Sequence, residues 1–211
     1  MNKLEIRHTK QPWGIKKELW VDGRPLTYYV NMWLGSNGNT EKSIVDSLAT
    51  CWTDEYDCMG DVRFVKYALN LDKATVPVLI DGATMDFCSI VLAVEVEKFA
   101  DKVVWRRIGW VDKKNYSEDE ENLSGILHTQ SYTDRDWQCY GDNVALAKVG
   151  SPEWHKWIAD NWDEEVFRRN VNYVCSFHRD EADMHWFACC NWQFERNQYD
   201  NLVQNCFTNK N

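Results

Sequence analysis

The stretch Phe87–Val96 limits the fold more than any other part of the chain. It is rich in Ile and Val and apolar on both faces until Glu95. That is the pattern of a central strand covered on both sides, not of one facing water. Lys98–Asp101 then makes a short polar break, and Val103–Val111 follows as a second β-rich run. A short turn between two such runs makes an antiparallel hairpin, so a central hairpin is predicted at about 87–111.

The remaining segments arrange themselves around that hairpin. Residues 1–11 are polar and are expected to be loose. Asp22-Gly23 between Lys17–Val21 and Leu26–Val30 predicts a first hairpin, with Pro25 at a strand start. Glu41–Trp52 and Asp61–Leu71 carry helical apolar spacing, at Ile44, Val45, Leu48 and Ala49 and at Val62, Val65, Ala68 and Leu69. Val76–Ile80 is a short apolar run, and Val144–Val149 reads as one more strand. Ser151-Pro152-Glu153 is a helix start, and that helix is expected to reach about Cys175 with a break near Asp160-Asn161. Strands and helices fall in separate runs. The class is therefore α+β, with a mainly antiparallel sheet packed against several helices. No Pro- or Ser-rich linker divides the sequence, so one domain over 1–211 is expected, with 176–211 as a C-terminal extension of uncertain packing.

Composition narrows the function classes. Lys and Arg number 24 against 33 Asp and Glu, a formal charge of −9, and the basic residues are scattered. Nucleic-acid binding rewards clustered cations, so direct nucleic-acid recognition is not expected. The longest apolar candidate for a membrane span, Val76–Val96, is broken by Asp81, Asp86 and Glu95. No apolar run of signal-peptide length follows Met1-Asn2-Lys3-Leu4-Glu5, so a cytoplasmic protein is expected. Twelve Trp exceed what a core of this size asks for, which points to some on a surface that a partner covers.

Eight Cys lie largely in apolar or aromatic runs and read as buried, reduced thiols. The nearest approach to a zinc pattern is Cys175, His178, His185 and Cys189, with only six residues between its halves. That is shorter than a finger needs, so no metal and no cofactor is expected. The sequence has no G-x-S-x-G, G-x-G-x-x-G, Walker or H-E-x-x-H motif.

Several short patterns carry a resemblance. They are Gly23-Arg24-Pro25-Leu26-Thr27-Tyr28-Tyr29, Val78-Leu79-Ile80 with Met85-Asp86-Phe87 and Ile90-Val91, Val104-Trp105-Arg106-Arg107-Ile108-Gly109, and Asp136-Trp137 with Tyr140-Gly141. Over about 20–175 the chain resembles bacterial immunity proteins encoded beside polymorphic or contact-dependent toxins. The resemblance implies an acidic, catalytically silent protein that covers a toxin domain, and it carries over no catalytic residue.

Two readings follow. In the first, the protein is a non-catalytic inhibitor of a basic partner such as a nuclease domain. Asp54, Glu55 and Asp57, and then Glu118, Asp119, Glu120 and Glu121, would steer the encounter, while Trp110, Trp137 and Tyr140 would anchor it. In the second, it is a small enzyme whose site forms near the central hairpin from Asp81, Asp86, Glu95, Arg106 and Arg107. A pocket of convergent polar groups would favour the enzyme, and an acidic face with exposed Trp would favour the binder.

Overall fold

The structure, a computed structural model, describes residues 1–11, 14–35, 42–56, 59–87, 89–112, 132–144 and 151–207. Two antiparallel sheets carry the fold. The smaller is formed by β1 (Leu4–Gln11), β2 (Gly14–Val21) and the two-residue β3 (Arg24–Pro25), in that order. The larger has the order β4 (Leu48–Thr50), β5 (Lys73–Asp81), β6 (Val91–Lys98), β7 (Lys102–Val111), β8 (Met184–Glu195). The helices are α1 (Leu26–Gly35), α2 (Lys42–Ser47), α3 (Met59–Asn70), α4 (Asp134–Val144), α5 (Pro152–Arg169) and α6 (Arg196–Cys206). The protein is α+β.

The central hairpin is present, with β6 in the middle of the larger sheet and antiparallel to β7 from Leu92↔Trp110 to Lys98↔Val103. Its start differs from the expected Phe87. Asp81 Oδ1 accepts the Ala83 N–H at 3.0 Å and Asp86 Oδ1 accepts the Ser89 N–H at 3.0 Å, so the chain turns there. Phe87 leaves the ladder to pack on Phe64 and Tyr56, at ring separations of 5.4 and 6.1 Å. Pro77 is tolerated inside β5 because the register shifts between Pro77 and Leu79.

Four local expectations are corrected. Residues 1–11 are not loose: Leu4–Gln11 pairs with β2 along its length, from Leu4↔Val21 to Gln11↔Gly14. Asp22-Gly23 does form the tight turn, with φ of 48° and 78° at its two residues, as a type I′ hairpin requires. The returning strand, however, stops at Pro25, and Leu26–Val30 is helical. A four-residue spacing buries Leu26 and Val30, while Tyr29 packs edge-on and Trp33 at a tilt against Trp192, at 5.0 and 5.6 Å. The helix expected over Glu41–Trp52 gives way at Leu48 to the short edge strand β4. Finally, α5 runs unbroken through Asp160-Asn161 and continues as a π turn over Asn170–Val174. The segment Val144–Val149 falls almost wholly outside the described residues.

The C-terminal segment is part of the core. Strand β8 pairs with β7 from Lys102↔Glu195 to Val111↔Met184, and α6 folds back onto them. Trp105 of β7 is fully buried at the centre of this packing. It meets Trp52 at 5.8 Å, Phe194 at 5.2 Å, Trp192 at 6.2 Å and Tyr199 of α6 at 6.5 Å. Much of the Trp surplus is therefore structural.

Val91 opens β6 within this buried layer. Val91→Asp is expected to unfold the protein, because an unpaired buried carboxylate costs several kcal/mol, about what a domain has to spare. Circular dichroism against temperature checks this, and a cooperative transition near the wild-type Tm would contradict the assignment.

Candidate partner-binding face

The acidic loop does not present a free cluster of charge. Lys17 lies among its groups, with Nζ 3.5 Å from Asp54 Oδ1 and 3.4 Å from Glu55 Oε1, and it donates to Thr53 Oγ1 at 3.2 Å. Asp57 lies outside the described residues, as do Glu118, Asp119, Glu120 and Glu121. Beside Glu55 an open cleft of about 370 Å³ runs between β2, β4 and the turn at 82–85, lined by Lys16, Lys17, Asp46, Thr50 and Thr53 among others. Its charges are of both signs, and two of them, Lys17 and Glu55, already face each other.

The aromatic residues separate by environment. Trp110 is half-buried at the end of β7, 5.8 Å from Phe187, and packs against the core. Trp137 is 41% exposed on the first turn of α4, with the Tyr132 ring 5.3 Å from its own. Tyr140 falls on the same helix, and its side chain lies outside the described residues. Trp162 of α5, which sequence reasoning did not single out, is 36% exposed, with the Arg169 guanidinium 5.6 Å from its ring. Asp134, Glu153, Asp160 and Asp163 are exposed on the same two helices.

A buried polar network joins α4 to α5. Glu165, 2% exposed, accepts the Tyr132 hydroxyl at 2.8 Å and Arg168 Nη1 at 2.6 Å on one oxygen, Oε2. Arg168, 6% exposed, sets Nε 3.0 Å from Asp136 Oδ1 and its guanidinium carbon 4.4 Å from the Tyr132 ring centroid. Burial pushes the Tyr132 phenol up, and the Glu165 carboxylate beside it adds to the shift. Burial also raises the Asp136 carboxyl, but the Thr133 N–H and hydroxyl and the Arg168 guanidinium outweigh that and hold it below the usual range.

On the other side, α5 packs against α3. A Cβ on Gly60 would lie 2.4 Å from the Asp163 carbonyl oxygen, so only glycine permits this approach. Arg63 lies over the Phe167 ring at 4.3 Å and pairs with Glu164 at 2.5 Å. Thus α5, which carries Trp162, is held from both sides, while α4, which carries Trp137, is fastened to it through Asp136 and Arg168.

The residues of the enzyme reading do not converge. Asp81 and Asp86 serve their own turn. Arg106 pairs with Glu97, while Arg107 pairs with Glu95 at 2.7 Å and Glu181 at 2.5 Å and lies 4.3 Å from the Trp186 ring centroid. The β6–β7 register shifts between Val94 and Val96, opposite these two arginines. The four possible metal ligands are also split. Cys175 and His178 are buried in the core, where His178 Nδ1 lies 2.8 Å from the Cys175 carbonyl oxygen and burial lowers the imidazole. His185 and Cys189 are exposed along β8, opposite Trp110 and Arg107. Among the described residues no group of three or more ligating side chains is placed to hold a metal ion.

Of the described cysteines, all free, Cys51, Cys175 and Cys206 are buried, Cys190 is half-buried, and Cys139 and Cys189 are exposed. The expectation of buried thiols therefore holds for only part of the set. Burial pushes Cys190 to about 11 and Cys206 to about 12. Among the described residues no helix is long and apolar enough to cross a membrane.

No protein-family model, curated protein or solved structure matches the chain.

In the first turn of α3 one carboxyl is held above the usual carboxylate range. Burial raises Asp61 to about 6, against a hydrogen bond of 2.6 Å from Asn170 Nδ2 and with the charges of Asp86 and Asp163 adding to the rise. A raised carboxyl binds its proton more tightly in the folded state. Its stabilising contribution is therefore full below about pH 4 and lost as pH rises through about 6. Asp61→Asn is expected to flatten that dependence and to exceed wild type at pH 7.5 by up to about 3 kcal/mol. Urea unfolding at pH 4.5 and 7.5 checks this, and equal pH slopes for the two proteins would contradict it.

Proposed function

We propose that the protein is a non-catalytic inhibitory binder, an immunity protein that neutralises a basic toxin domain such as a nuclease by covering it. The observation that carries this reading is Trp137, 41% exposed on a helix whose neighbour α5 carries the exposed Trp162 and several exposed carboxylates. A large rigid aromatic on a helix docked to α5 is the kind of residue that anchors an interface, because little side-chain entropy is lost when it is covered. The exposed Asp134 and Glu153 complement a basic partner, Asp160 being already paired with Lys156 and Asp163 accepting the Met59 N–H, and the overall charge of −9 adds long-range attraction. Asp54 and Glu55 have a smaller share in this reading than the sequence assigned them, because Lys17 already balances part of their charge. The resemblance to immunity proteins points the same way and supplies the partner class.

The test is to co-express the chain with the toxin domain encoded beside it and to measure survival and complex formation. Survival with a stable complex is expected; cell death with no complex overturns the reading. In surface plasmon resonance, rising salt is expected to slow association and to leave dissociation nearly unchanged. Trp137→Ala is expected to speed dissociation by about thirtyfold, the equivalent of about 2 kcal/mol. An unchanged dissociation rate for that variant would place the anchor elsewhere.

A further inference from the structure

We infer that α4 is a conditional helix, folded only while Arg168 of α5 holds Asp136. The inference does not depend on the binding reading, and no partner enters its test. Asp136 does two things at once. Its Oδ2 accepts the Thr133 N–H at 2.9 Å and the Thr133 hydroxyl at 2.7 Å, and Thr133 Oγ1 accepts the Asp136 N–H at 3.3 Å in return. This reciprocal cap starts the helix. The other oxygen, Oδ1, meets Arg168 Nε at 3.0 Å. One carboxylate therefore both nucleates α4 and fastens it to α5.

Among the described residues, little else holds the helix. It is 11 residues long, and isolated helices under about 12–15 residues are marginal in water. Its C-terminal end, Gly141-Asp142-Asn143, is made of poor helix formers. Among the described residues, α4 makes no extended backbone packing against another element. Its described attachment is the network of Tyr132, Asp136, Glu165 and Arg168.

A buried ionic network differs from apolar packing in how it fails. Apolar surfaces separate by degrees and keep part of their contact. When a buried ion network loses one member, the others are left desolvated and unpaired, so partial docking is disfavoured. Capping and docking share Asp136, so undocking also removes the support of the helix start. Folding and docking of α4 are in this way a single transition, and Trp137 is presented only in the docked state.

Hydrogen–deuterium exchange of the full chain, read by peptide mass spectrometry, tests this. In Arg168→Met, peptides over 134–144 are expected to exchange about tenfold faster or more than in wild type, while those of β5, β6, β7 and α3 stay within about twofold. Unchanged protection of 134–144 in a folded variant overturns the inference. Should Arg168→Met unfold the whole chain, Asp136→Asn decides, because it leaves the Arg168–Glu165 pair intact. Fast exchange confined to 134–144 supports the inference, and exchange of 134–144 at the pace of the rest of the chain overturns it.

Discussion

Trp105 is the contact on which the rest of the structure depends. It sits on β7, the strand joining the central hairpin to the C-terminal strand, and is fully buried. Around it meet Trp52 from the segment after β4, Trp192 and Phe194 from β8, and Tyr199 from α6. Trp192 then carries the packing outward to Tyr29 and Trp33 of α1. Aromatic pairs in edge-to-face and tilted geometry add to the area that each ring buries. Through these few rings, early and late parts of the chain share one core. That explains why a tail expected to be an extension is integral, and why so many Trp serve the inside.

A second layer uses different physics. Where α5 meets α3 the packing is close and partly backbone, through Gly60 against Asp163 and Phe167. Where α5 meets α4 it is polar, through Glu165 and Arg168. The first kind of contact gives rigidity. The second gives a defined geometry together with a definite way to lose it, since buried charges tolerate no partial pairing. Close packing against α3 holds α5, and Asp136 and Arg168 fasten α4 to it.

The hairpin was legible because Val91–Val96 and Val103–Val111 carry their signal locally, in composition and in a short polar turn. The N-terminal strand was not, although Leu4 and Ile6 alternate with polar residues; its polarity hid a period of two that β2 completes. Leu26–Val30 read as a strand because β-branched and aromatic residues favour one. Packing of Tyr29 and Trp33 against Trp192, far away in sequence, reversed that preference. For the candidate site, Trp137 stood out as an aromatic among charges. Arg168 and Glu165 did not, because their partners Tyr132 and Asp136 lie far earlier in the sequence, just before and within another helix. The pairing of Lys17 with Asp54 and Glu55 was hidden for the same reason.

The central claim is that the acidic, aromatic face of α4 and α5 is where a basic partner is covered. Its most direct test is the hydrogen-exchange footprint of the chain with and without the toxin domain encoded beside it. The account predicts new protection over 134–144 and 153–162, with the cleft at Lys16, Lys17 and Thr50 unchanged. Protection confined to that cleft, or to the Arg106–Arg107 face of the sheet, would contradict it.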